Sequence, residues 1–430
     1  MTTALSIIAS GKRLGTVTRQ GDRLTLRYEP SWRESSGAFP LSVSMPMTTA
    51  EHPHSRIDSF LRGLLPDSGQ VIDQWAKRFH VSARSPFKLL EQVGEDCAGA
   101  IQFIPPEREE TLLGMAADPR VTWLSEEELA GRIRLLLENH GSGRTSTDTG
   151  QFSLAGAQPK TALFHDAQSG RWGVPEGPTP TTHILKPATG QFVGYAENEH
   201  FCLRLAQRLG LRAAVSSVIQ PGGCPVIVVE RYDRVFREGR CLRIHQEDLC
   251  QALSVPPSLK YQNEGGPSVK DVANLLWDVS SEPETDVRRF ADALVFNWLI
   301  AGTDAHAKNY SLLIAPGSQV RLAPLYDLAS ALPYPVQISP HKARMAMKIG
   351  SIYRLKEISR RHWESTAKEL KIPASEMLER MIELARAMVA ASVEVASVLQ
   401  GEGLNHGIVG VLGEKLRVRA EECLHSLEDR

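Results

Sequence analysis

Up to about Arg240 the chain is cut into short strand-like runs, and beyond it apolar residues recur at helical spacing over long stretches. That change of period constrains the fold more than any other feature. A strand-rich segment followed by a helix-rich one predicts an α+β chain of two lobes with a cleft between them. The 430 residues, 42% of them hydrophobic, are enough for two or three domains. The expected divisions are a small mixed α/β unit at 1–108, a strand-rich lobe at 109–240 and a mainly helical lobe at 241–430.

In the first unit, Leu5 to Ala9, Arg23 to Tyr28, Leu41 to Ser44 and Gly99 to Ile104 read as strands, and Ile57 to Leu65 and Ser68 to Phe79 as helices. Ser125 followed by three glutamates opens a capped helix that runs to Asn139. The polar, glycine-rich stretch His140 to Gln151 reads as a mobile loop. Strands at Thr161 to Phe164, His183 to Leu185, Ala214 to Val218 and Pro225 to Glu230 follow, interrupted by a helix at Asn198 to Leu209. Helices are expected at Val287 to Ala301, Arg361 to Leu370, Ala374 to Val398 and Gly413 to Ser426.

Charge and cysteines exclude several classes. Lys plus Arg number 49 against 50 Asp plus Glu, so net charge draws the chain neither to nucleic acid nor to an anionic membrane. Six cysteines are scattered without a C-x-x-C pair, as expected of reduced thiols in a cytoplasmic protein. No apolar run of about 18 residues predicts a membrane span, and no secretory leader is read at Met1 to Ser10. There is neither a His-Glu-x-x-His pair nor a G-x-S-x-G elbow, so metalloprotease and esterase chemistry are set aside.

The chemistry-bearing residues fall in an order that suits phosphoryl transfer. Gly302-Thr303-Asp304-Ala305-His306-Ala307-Lys308-Asn309 closes an apolar helix with the Asp-x4-Asn spacing of kinase catalytic loops. There the Asp takes the hydrogen bond of the attacking hydroxyl, and the Asn oxygen faces magnesium. A hard cation needs further oxygen ligands, and Asp327 offers one. Upstream, Lys186 ends a strand where an ammonium can hold phosphates, and Glu199 on the next helix is its possible partner. Glu230 to Asp233 lies where an interlobe hinge would meet adenine. The small residues of Ser153-Leu154-Ala155-Gly156-Ala157-Gln158-Pro159-Lys160 would let backbone N–H groups approach phosphate. Taken singly, each has an ordinary reading as a cap, a turn, a strand end or a wet helix face. Their joint order is what points to a kinase.

The chain resembles the HipA family, the kinase toxins of HipBA-type bacterial toxin–antitoxin modules. The likeness rests on 153–163, on Pro178 to Lys186, on Gln246-Glu247-Asp248, Lys260-Tyr261 and Gly265-Gly266-Pro267, and on Trp298-Leu299-Ile300, Thr303-Asp304, His306 to Asn309 and Tyr326-Asp327. It implies a HipA-like two-lobed kinase fold acting with ATP and Mg2+. Asp304 would be catalytic, Asn309 and Asp327 metal ligands, and Ala155, Gly156, Ala157, Gln158, Lys160 and Lys186 phosphate contacts. Glu230 and Tyr232 would flank adenine, and His306 and Lys308 would support the phosphates or the loop. Ser153 would be the autophosphorylated serine. Expected partners are a HipB-like helix-turn-helix antitoxin, operator DNA mainly through it, and an aminoacyl-tRNA synthetase as substrate. Lys415, Arg417 and Arg419 form a candidate basic patch whose ordinary reading is a solvated helix face. The alternatives are a small-molecule phosphotransferase on the same fold and a catalytically silent corepressor held by its antitoxin.

Overall fold

The computed structural model describes residues 2–114, 120–138, 155, 156, 158–188, 190 and 192–428. The loop expected at His140 to Gln151, together with Ser153 and Ala157, lies outside them.

The N-terminal unit is a five-stranded antiparallel sheet in the order Glu51–His52, Arg23–Tyr28, Lys12–Gln20, Thr2–Ala9, Ile101–Ile104. Its register sets Leu5 against Val17 and Val17 against Leu26, and all three are sealed. This row is what alternation along a half-buried strand produces. Ile57, Phe60 and Leu61 of the helix His54–Gly63 close over the sheet. Leu41 to Ser44 does not form the expected strand. Side chains take its amides: Leu41 donates to the Tyr28 hydroxyl at 2.9 Å and Val43 to Glu247 Oε1 at 2.8 Å, leaving only a bridge between Ser42 and Met45.

The second sheet has six antiparallel strands in the order Ser216–Ile219, Val226–Glu230, His183–Pro187, Thr161–Asp166, Arg171–Glu176, Arg120–Trp123. Alternation gives each face its own core. Val226 and Val228 meet Leu129 and Ile133 of the helix Glu126–Glu138, while Ile227 and Val229 join the main core with Phe201 and Leu205 of the helix Tyr195–Arg208. Lys186 pairs in register with Ile227. It therefore shares the face that looks toward the rest of the molecule.

The remaining lobe contains the helices Val269–Val279, Pro283–Leu299, Arg360–Leu370, Ala374–Gly401 and Gly407–Glu428. It is less purely helical than expected. His245–Asp248, Ser311–Ala315 and Gln319–Leu322 form a three-stranded sheet, and Arg344–Ile349 pairs with Ile352–Arg354. Among the described residues, no helix is long and apolar enough to cross a membrane.

Candidate active site

Lys186 has its ammonium 2.8 Å from Glu199 Oε1, and it also donates to the Asp327 carboxylate. Burial alone would push this ammonium's pKa down, but the Asp327 and Glu199 carboxylates outweigh it and the net shift is upward. Burial also acts to raise Asp327. The ammonium groups of Lys186 and Lys160 overcome it and hold the carboxyl well below its usual range. Asp327 sits at φ +52°, in the left-handed region that a non-glycine residue enters at a cost. Its segment is tied to the start of the second sheet, where Ala214 N–H donates to Leu325 C=O and Leu325 N–H to Arg212 C=O, each at 2.8 Å.

The loop that carries Asp304, also lining the cleft, leaves the helix Pro283–Leu299 through Gly302, where a Cβ would run into the Asn297 side chain. Asp304 projects into solvent and accepts a hydrogen bond from the Tyr261 hydroxyl. His306 lies behind it, edge-on to Tyr261 at 4.8 Å, with Nε2 3.9 Å from Asp304 Oδ1. Burial lowers the His306 pKa and favours the neutral ring, and its buried Nδ1 has no hydrogen-bond partner among the described residues. Asn309 donates its amide hydrogen to Asp304 C=O at 2.7 Å. That bond fixes the amide plane and commits its nitrogen, so the oxygen is the end left for a ligand.

Lys160 completes the ring of charge. Its ammonium donates to Ala155 C=O at 2.7 Å, and burial, opposed by Asp327, lowers its pKa to about 8. Gly156, at φ +102°, lies so close to that ammonium that a side chain there would displace it. Gln158 reaches Pro187 C=O at 3.5 Å. At the hinge, Glu230 is exposed at the strand end, and the Tyr232 ring lies 5.7 Å from Tyr326, with its hydroxyl donating to Gln246.

All the predicted site residues that the structure describes, except Glu199, line one cleft. Glu199 is buried on the helix Tyr195–Arg208 and pairs with Lys186 from there. Lys308 lines the cleft, but its ammonium is turned to Asp67 at 2.6 Å. Asp67, Gln246, Asp248 and Tyr261 line the cleft as well, and sequence reasoning gave none of them a role. Lys260-Tyr261 and Gln246-Glu247-Asp248 carried the family likeness, whereas nothing local marks Asp67. The candidate basic patch is spent on internal bonds: Lys415 donates to Leu332 C=O, Arg419 to Trp298 C=O, and Arg417 pairs with Glu414 and Glu421.

Asn309 and Asp327, two oxygen donors lining the same cleft, are the types that suit a hard cation keeping water and phosphate among its ligands. No cluster of three or more His, Cys, Asp or Glu side chains able to hold a metal occurs among the described residues. A strand lysine held by a helical glutamate, facing an Asp-x4-Asn loop and a later aspartate, defines a protein-kinase-like site. The profile of the HipA-like C-terminal domain matches residues 152–392, and that of the HipA N-terminal domain residues 5–104. Y4mE, a candidate kinase of Sinorhizobium fredii, is 37% identical over 96% of this chain and 98% of its own length. The serine/threonine-protein kinase toxin HipA of Shewanella oneidensis is 29% identical over 88% of this chain and 85% of its own. A solved structure of the Shewanella oneidensis HipA, HipB and operator DNA complex superposes with a TM-score of 0.83 at 26% identity, covering 99% of this chain and 98% of that one. The chain belongs to the HipA family of kinase toxins.

Proposed function

We propose that this chain is an ATP- and Mg2+-dependent serine/threonine protein kinase acting in the cytoplasm as the toxin of a type II toxin–antitoxin module. The observation that carries the reading is Lys186 joined at once to Glu199 and Asp327, in one cleft with Asp304 and Asn309. Lys186 and Lys160 place positive charge where phosphate oxygens would lie. Asp304, exposed and oriented by Tyr261, is positioned to accept the hydrogen bond and then the proton of an attacking hydroxyl. Magnesium held by Asn309 and Asp327 would neutralise charge on the transferring phosphoryl group. Its substrate is an aminoacyl-tRNA synthetase, whose modification arrests translation and growth. Phosphate on Ser153 would add roughly two negative charges and draw the loop out of its ATP-binding shape. A HipB-like antitoxin neutralises the kinase and supplies most contacts to operator DNA; the HipB and DNA bound to the solved relative support this reading.

Asp304→Asn keeps the shape of the side chain and removes its basicity. With labelled ATP and a cell lysate, phosphate transfer to protein is expected to fall about 10²–10⁴-fold. Full transfer by the variant sinks the assignment. Label confined to small molecules favours the phosphotransferase reading, and a wild type that labels nothing favours the silent corepressor.

A further inference from the structure

Asp67 belongs to the N-terminal unit, in the turn between the helices His54–Gly63 and Gly69–Phe79, yet it reaches into the cleft. Its carboxylate bridges two ammonium groups, accepting from Lys308 at 2.6 Å and from Lys260 at 2.8 Å. Each lysine adjoins a residue of the reacting centre. Lys308 precedes Asn309, and Lys260 precedes Tyr261, whose hydroxyl orients Asp304. Lys260 also accepts the Ala307 N–H on its own C=O at 3.3 Å, so the two lysine segments are already in contact. A third tie runs through the backbone: Asp67 N–H donates to Gly156 C=O at 3.1 Å, and Pro66 and Gly156 form a parallel bridge. The bridge is well shielded. The side chains of Lys308, Asp67 and Lys260 are 3%, 12% and 17% exposed, so solvent screens it far less than a surface pair.

We infer that Asp67 is a positioning residue for phosphoryl transfer, holding the catalytic loop, the Lys260-Tyr261 segment and the phosphate loop in one register. The assignment rests on the kinase reading and makes the N-terminal unit a working part of the site. Burial acts to raise the Asp67 carboxyl, and the two ammonium groups outweigh it and keep the carboxylate charged. Asp248 is the other carboxylate acting on Lys308, and it is engaged as the cap of the short helix Leu249–Ala252, accepting from Gln251 N–H at 2.9 Å. Asp67 alone links Lys308 to Lys260 among the described ion pairs.

The test compares wild type, Asp67→Asn and Asp67→Glu in the full chain, by amide hydrogen exchange and by steady-state transfer kinetics. Asp67→Asn keeps the backbone N–H and the shape but loses the charge. Exchange at 304–309 is expected to rise about tenfold. The turnover number for phosphate transfer should fall about 10–100-fold with the KM for ATP nearly unchanged, because displacement of Asp304 and Asn309 acts on the chemical step. Asp67→Glu should recover a large part of both. Unchanged exchange with wild-type turnover overturns the inference. So does a loss that follows a general fall in melting temperature and is not rescued by Asp67→Glu, since that describes a merely structural residue. A wild type without transfer breaks the kinase reading, and the exchange result still decides the role of Asp67.

Discussion

Two of the buried clusters that pair opposite charges among the described residues are built differently. In the first, Asp96 accepts from Arg231, Arg234 and Arg243 at 3.4, 3.1 and 3.0 Å and from the Thr181 hydroxyl at 2.6 Å, while Asp233 accepts from Arg231 at 2.8 Å and from Gly99 N–H at 2.7 Å. Burial acts to raise Asp96, but the three guanidinium groups hold it far below the ordinary carboxylate range. Every carboxylate oxygen is occupied. In the second, Lys186 answers to Glu199 and Asp327, but the Asp327 side chain stays 32% exposed toward the cleft on a left-handed backbone. Charge burial is thus no mark of a working site by itself. A partly exposed carboxylate and a left-handed backbone distinguish this cluster from one whose every carboxylate oxygen is occupied between two domains.

The sharpest way to break this contrast is to remove one charge from each cluster. Asp96→Asn leaves guanidinium groups buried and under-paired, and should destabilise the chain by about 3–5 kcal/mol in urea denaturation. The turnover of the protein that remains folded should be unaffected; a selective loss of turnover at unchanged stability would erase the distinction. Asp327→Asn should do the reverse. Asparagine tolerates the left-handed backbone and Glu199 still pairs with Lys186, so stability should change less than with Asp96→Asn, whereas transfer should drop about 10²-fold and nucleotide affinity should lose its dependence on magnesium, readable by titration calorimetry. The smallest effect concerns Lys160, whose pKa near 8 makes it cationic below that pH and neutral above it. Attraction for phosphate is therefore present at pH 7 and lost toward pH 9, and the KM for ATP should rise about tenfold over that interval. Lys160→Arg should flatten the profile, because a guanidinium stays charged throughout.

Much of the second cluster was legible along the chain, because each member lies beside a local signal. Lys186 ends an apolar run and Glu199 follows on the next helix, while Asp304 and Asn309 in the same cleft stand five positions apart in one loop. The first cluster was not, and neither was Asp67. Asp96 meets Arg231 135 positions away, and Asp67 meets Lys308 241 positions away, so no periodicity or motif links them. Packing decided the elements that were missed as well. Lys12–Gln20 carries Leu14 and Val17 among Arg, Gly, Thr and Gln, and becomes a strand because neighbours exist on both sides. His245–Asp248 is polar by composition and is recruited as a strand by Ser311–Ala315. Leu41 to Ser44 shows the converse, an apolar run whose amides were claimed by side chains from elsewhere.

The segment from Glu230 to Asp233 is anchored most deeply through Arg231. Arg231 sinks into the arginine cluster and its N–H donates to Thr182 C=O at 2.9 Å, while Glu230 and Tyr232 on either side of it line the cleft. Elsewhere on the cleft, backbone contact between the N-terminal unit and the 155–160 segment among the described residues is that of Pro66 and Asp67 with Gly156. The cleft is thus held at two places by different chemistry, buried guanidinium–carboxylate contacts at one and backbone contacts to a single glycine at the other.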